Sequence, residues 1–74
     1  MKTLDNLKVG ENALVSKIHG EGTSLRRRLL DMGITPGTLI LKVRSAPLGE
    51  PMEFNLRGYS LTIRKSDASL VEIN

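Results

Sequence analysis

From Leu39 onward the apolar residues recur at every second position, and this period limits what the chain can become more than any other feature. Leu39, Leu41 and Val43 alternate with Ile40, Lys42 and Arg44. Met52, Phe54 and Leu56 alternate with Glu53, Asn55 and Arg57, and Tyr59, Leu61 and Ile63 alternate with Ser60, Thr62 and Arg64. A period of two belongs to strands, whose successive side chains leave opposite faces. The alternation puts both Phe54 and Tyr59 on the inner face. Gly58 supplies a tight reversal between the last two of these strands.

The flanking segments add two shorter strands. Asn12 to Ile18, with Leu14, Val15 and Ile18, reads as a first strand of imperfect alternation after an opening turn around Leu4 and Leu7. Leu70 to Ile73 reads as a closing one. Between the second and third strands, Ala46-Pro47-Leu48-Gly49-Glu50-Pro51 carries two prolines without amide donors and is expected to be a stiff loop. Lys65 to Ser69 is expected to form a single helical or 3₁₀ turn capped by Ser66.

One segment breaks the two-residue period. Leu25, Leu29 and Met32 fall at i, i+4 and i+7, which places them on one face of a short helix over Ser24–Met32. His19-Gly20-Glu21-Gly22 forms the loop before it, Thr23 or Ser24 its N-cap, and Gly33 a left-handed C-terminal cap, with a turn at Pro36-Gly37. Five short strands are too few for two packed sheets, so the sheet must curl to cover its own apolar face. The expected fold is therefore mainly β: a small, partly open barrel of about five strands with one inserted short α-helix, in a single domain over residues 1–74.

The chain is 74 residues long and has no cysteine, which removes disulfides, thiolate metal sites and iron–sulfur ligation. A domain of this size buries only about 60% of the surface its unfolded chain exposes. No signal peptide or spanning helix fits the sequence, and a reducing cytoplasm is the expected location. Eleven basic residues against eight acidic ones leave a net charge of +3, compatible with phosphate or an acidic protein surface but diagnostic of neither.

The inventory for chemistry is thin. There is one histidine, and the carboxylates are dispersed, so no catalytic residue is assigned. His19 and Glu21 are the only close pair that would seed a metal site, which normally takes three or four ligands, and the plainer reading of His19 is a solvated loop histidine. No metal site is assigned. Gly20-Glu21-Gly22 precedes a helix but lacks the Lys and Ser/Thr of a phosphate loop. For nucleic acid, Lys42, Arg44, Arg57, Arg64 and Lys65 would supply a basic surface, but only Phe54 and Tyr59 are available to stack, and both are expected in the core.

The pointed feature is Arg26-Arg27-Arg28. Successive helical residues lie about 100° apart, so these three fan around the helix. They occupy its first half and Asp31 its end, each against the helix dipole. Exposed charges of this kind cost little, about 0.3 to 1 kcal/mol each, so the arrangement reads equally as a partner-binding face or as a tolerated surface. Leu30 lies roughly 130° from the Leu25–Leu29–Met32 stripe and is expected to point away from the core, an apolar anchor beside Arg26 and Arg27. The partner-binding candidates are Arg26, Arg27 and Leu30 on the helix with Leu48 in the stiff loop; Leu48 reads equally as a cap on an open barrel end, and the alternative for Leu30 is cover by another loop.

Taken in order, Leu25-Arg26-Arg27-Arg28-Leu29-Leu30-Asp31-Met32-Gly33, Pro36-Gly37, Ala46-Pro47-Leu48-Gly49-Glu50-Pro51, Arg57-Gly58-Tyr59 and Leu61 through Ala68 resemble FeoA proteins over about Leu4 to Ile73. The one departure is Glu50, where many relatives have Asp. The resemblance implies an SH3-like barrel with a helical insertion that acts in the cytoplasm of bacteria. Its implied partner is FeoB, the membrane transporter of ferrous iron with a GTPase domain. It implies a binding and modulating role; with the inventory above, no enzymatic activity, no cofactor, no nucleic acid and no insertion into the membrane are expected, while a divalent metal, unsupported by a ligand cluster, and a homo-oligomer are left open. The alternative is the same barrel as an accessory module of metal-dependent transcription regulators of the DtxR type, or a weak nucleic-acid binder. The absence of a helix-turn-helix segment speaks against the first.

Overall fold

All five strands and the inserted helix form where the periodicity places them. The computed structural model describes residues 2–74, leaving Met1 outside the described residues. A 3₁₀ turn at Leu4–Asn6 leads to β1 (Asn12–Ile18), α1 (Ser24–Asp31) and β2 (Leu39–Ser45). A second 3₁₀ turn at Pro47–Gly49 precedes β3 (Met52–Leu56), β4 (Tyr59–Ile63), the single-turn α2 (Lys65–Ala68) and β5 (Val71–Ile73). The strands make one antiparallel sheet in the order β4-β3-β2-β1-β5, open between β4 and β5.

Two register shifts bend it into a shell. One lies between Val15 and Lys17 where β1 meets β5, the other between Lys42 and Arg44 where β2 meets β3. An extra residue on one strand increases local twist and lets a sheet coil. The concave side holds Val15, Ile18, Ile40, Met52, Phe54, Leu56, Ile63, Val71 and Ile73, closed by Leu4, Leu7, Leu29, Ile34 and Ala68 from the connections. Fourteen apolar side chains thus share one core, the burial that holds a chain of this length folded.

The helix is bounded as its sequence suggests. Thr23 caps it, its hydroxyl oxygen accepting from the Arg26 N–H at 3.2 Å. At the other end Gly33 takes φ 91°, which a residue with a Cβ resists. Its N–H donates to Leu30 O (3.0 Å) and the Ile34 N–H to Leu29 O (3.1 Å), the paired bonds of a Schellman motif, with buried Leu29 and Ile34 as its apolar contact. The chain is thereby turned back toward the sheet.

Four expectations need correcting. Lys42, assigned to a basic surface, is buried: the β1–β2 register pairs Ala13 with Ile40 and turns Ile40 and Lys42 inward, leaving Leu39 exposed. The Lys42 ammonium donates to Leu7 O at 3.0 Å, so the stem packs in the core while the charge ends the opening turn. Tyr59 shares the inner parity of Leu61 and Ile63 but stands at the hairpin tip, beyond the core, 43% exposed. Ser66 does not cap α2; Arg64 is the cap residue, and Glu50 Oε1 accepts from the Lys65 N–H at 2.6 Å instead.

Leu30 is half-buried and packs on the core rather than pointing away from it. The buried arc of α1 is centred on Leu29, not on the mean of Leu25, Leu29 and Met32. At about 100° per residue it reaches to Met32 on one side and to Leu30, past half-buried Arg26, on the other.

Candidate functional site

The helix presents its arginines in three directions. The Arg26 guanidinium folds back, Nε donating to Ile18 O at 3.1 Å. Arg27 stays in solvent, 3.8 Å from Asp31. Arg28 crosses to α2, where its terminal nitrogen meets Asp67 Oδ2 at 3.2 Å. An exposed pair such as Arg27–Asp31 contributes about 0 to 1 kcal/mol, so the Arg27 charge remains available at little conformational cost, while Arg26 and Arg28 are each engaged within the fold. Arg26 and Arg27 line a surface depression with Gly22, Thr23 and Ser24.

Leu48 stands apart from them. It sits in the loop between β2 and β3 at φ 71°, fully exposed, and is the most exposed large apolar side chain of the described residues. An apolar residue in a left-handed conformation without any burial gains nothing locally from either its backbone or its side chain. No hydrogen bond or shared cavity joins Leu48 to Arg26, Arg27 or Leu30 among the described residues. Leu14 and Leu39, opposed across β1 and β2 on the outer sheet face, are also exposed.

His19 does not meet Glu21. Its Nε2 lies 2.8 Å from Glu72 Oε1 on β5, and both side chains are one-third exposed. Among the described residues no group of three or more His, Asp or Glu side chains is placed to hold a metal ion. No buried side-chain nitrogen or oxygen among them lacks a partner either, so none is left over to hold a ligand.

The alternation of β3 and β4 did not foretell the role of Arg57. It occupies the hairpin tip at φ 48°, ahead of Gly58 at φ 84°, the pair of positive φ angles that a two-residue turn requires. Its guanidinium donates to Gly33 O (3.2 Å), Thr35 Oγ1 (2.9 Å) and Thr38 Oγ1 (2.8 Å), tying the hairpin to the end of α1. The dipeptide Arg57-Gly58 carried the turn signal, but nothing local pointed across to residues 33–38.

At the other end of β4 from that turn runs a groove of ≈ 380 Å³ against α1, lined by Arg28 and Met32 on one side and Pro51, Thr62, Ile63 and Arg64 on the other, with Asp67 completing it. No helix among the described residues is long and apolar enough to cross a membrane.

Residues 2–74 match the family model for the FeoA domain. A Fe(2+) transport protein A/Fe(2+) transporter FeoB fusion protein of Porphyromonas gingivalis is 33% identical over 70 residues, which is 95% of this chain and 8% of that protein; the chain thus spans a small fraction of this relative's length. The FeoA-like protein of Clostridium acetobutylicum superposes with a TM-score of 0.90 at 38% identity, over 97% of this chain and 83% of its own. FeoA of Stenotrophomonas maltophilia complexed with zinc, described as a prokaryotic SH3 domain protein, gives 0.89 at 25% identity over 100% and 91%.

Proposed function

The chain belongs to the FeoA family of ferrous iron transport, and from that premise we propose that it binds a FeoB-type membrane transporter on the cytoplasmic side and modulates it, with no enzymatic activity and no cofactor of its own. The observation that carries the reading is the Porphyromonas gingivalis protein, in which a segment similar to 95% of this chain shares one polypeptide with FeoB. Two domains joined in one chain meet at an effective concentration far above that of free partners, an arrangement that suits domains working on each other.

Arg26, Arg27, Leu48 and the exposed part of Leu30 are the docking residues of this reading. Leu48 offers an apolar contact with no competing role in the core, and Arg27 an unburied charge. The test is capture of this protein by the cytosolic part of a FeoB-type transporter, comparing wild type with Leu48→Asn and Arg27→Glu. Capture of the wild type and at least about tenfold weaker capture of either variant supports the reading, since an interface hot spot is worth about 2 kcal/mol or more and about 1.4 kcal/mol is tenfold. Wild-type protein that is not captured overturns it; normal capture of both variants moves the docking surface elsewhere.

A further inference from the structure

The sheet has two outer strands, and they are finished differently. β5 is three residues long and offset from β1 by a bulge. The amino-terminal segment covers it, Thr3 bridging to Glu72 and the Ile73 N–H donating to Lys2 O at 2.9 Å. Short length, bulges and covering segments are the usual ways a protein blunts an edge. β4 has none of them. It pairs with β3 in unbroken register from Leu56–Tyr59 to Met52–Ile63, with no proline and no lysine inside it.

The turn decides which groups are left over. The closing pair of a two-residue hairpin exchanges both of its hydrogen bonds, so Tyr59, Leu61 and Ile63 bond inward and Ser60 and Thr62 turn N–H and C=O to the open side. No turn, cap or loop bond among the described residues uses those four groups. Thr62 borders the groove against α1, whose accessible apolar side chains are Met32 and Pro51, Ile63 lying buried beneath them; Ser60 continues the same edge beyond the groove, toward Tyr59 and Gly58.

Charge selects the occupant. Arg28 and Asp67 neutralise each other, and Glu50 is engaged by the Lys65 N–H. Arg57 at the start of β4 bonds only neutral oxygens, and Arg64 and Lys65 at its end form no ion pair among the described residues. A second copy paired antiparallel through β4 would set Arg57 of each chain against Arg64 or Lys65 of the other, which like-charge repulsion opposes. We propose that the β4 edge and the groove beside α1 take an extended, acid-flanked segment of another polypeptide as a sixth strand. Main-chain bonds to Ser60 and Thr62 supply the affinity, an apolar residue of the segment meets Met32 and Pro51, and acidic residues at the two ends meet Arg57 and Arg64. This surface uses none of Arg26, Arg27, Leu30 or Leu48, so it stands or falls independently of the transporter reading.

The experiment is an amide-resolved NMR titration of the full chain with a synthetic peptide of alternating valine and threonine bearing two glutamates at each end. Expected are shifts concentrated at the Ser60 and Thr62 amides, with hydrogen exchange there slowed on binding, and weaker binding with added salt. Thr62→Pro, which removes an N–H that β3 does not use and is tolerated on an edge, should abolish them. As a control independent of that variant's folding, the same peptide N-methylated at alternate residues should also fail. Absence of shifts at Ser60 and Thr62, equal binding of the N-methylated peptide, or shifts that grow with protein concentration alone and so report a second copy would each overturn the proposal.

Discussion

Lys42 offers the sharpest test of how this small core is held. Its side chain is buried among apolar residues, and its ammonium donates to Leu7 O at 3.0 Å. Lys42→Met keeps the length of the stem but removes the donor, leaving a carbonyl at the end of the opening turn without its partner. A hydrogen bond to a charged group contributes about 1.5 to 3 kcal/mol, and an orphaned buried acceptor costs about 1 to 3 kcal/mol. Against this, the charge no longer has to be held out of water, a gain that offsets part of the loss. A net destabilisation of about 1 to 2 kcal/mol is expected for the Met variant. Lys42→Ala removes three further methylenes at about 0.8 kcal/mol each, giving roughly 3 to 4.5 kcal/mol in total. A 74-residue domain has only about 4 to 11 kcal/mol to lose, so the Ala variant gives up at least about a quarter of its stability, and all of it where the wild type stands at the lower end of that range. Urea unfolding followed by circular dichroism measures both, and about 4 to 8 °C of midpoint shift per kcal/mol is expected in a thermal scan. A Met variant as stable as the wild type, or more so, would refute the reasoning and show that the core gains nothing from the bond to Leu7.

Leu30→Ala should cost about 1 to 2 kcal/mol and Leu29→Ala about 2 to 5 kcal/mol in the same assay, because the buried arc is centred on Leu29 and only reaches Leu30; equal losses would contradict that geometry. Gly33→Ala should destabilise by roughly 1 to 3 kcal/mol, since the residue sits at φ 91° and the added Cβ would lie 3.2 Å from Tyr59 Oη, and faster amide exchange at Ile34 than in wild type is the accompanying sign.

Much of the fold was legible because its determinants are local. Alternation over Met52–Leu56 and Tyr59–Ile63, the Thr23 cap, Gly33 past the helix and the prolines flanking Leu48 each act within a few residues. The number of strands follows from them, and with so few strands a curled sheet follows too. What the chain could not announce was decided between segments. Which face of β2 turns inward depends on its register with β1, and a shift of one residue exchanges the faces, so Lys42 went in and Leu39 out for reasons that Leu39–Arg44 alone does not contain.

The same reason governs the surface. Arg27 and Leu48 were visible as exposed features because helix and loop expose them locally. The Arg57 clamp on residues 33–38, the pairing of His19 with Glu72 in place of Glu21, and the groove between α1 and the β4 edge each join residues far apart in the chain. Sequence by itself determined which elements exist and the family to which they belong. Only the closing of the sheet decided which side chains those elements bring together, because strand register and edge exposure are properties of pairs of segments.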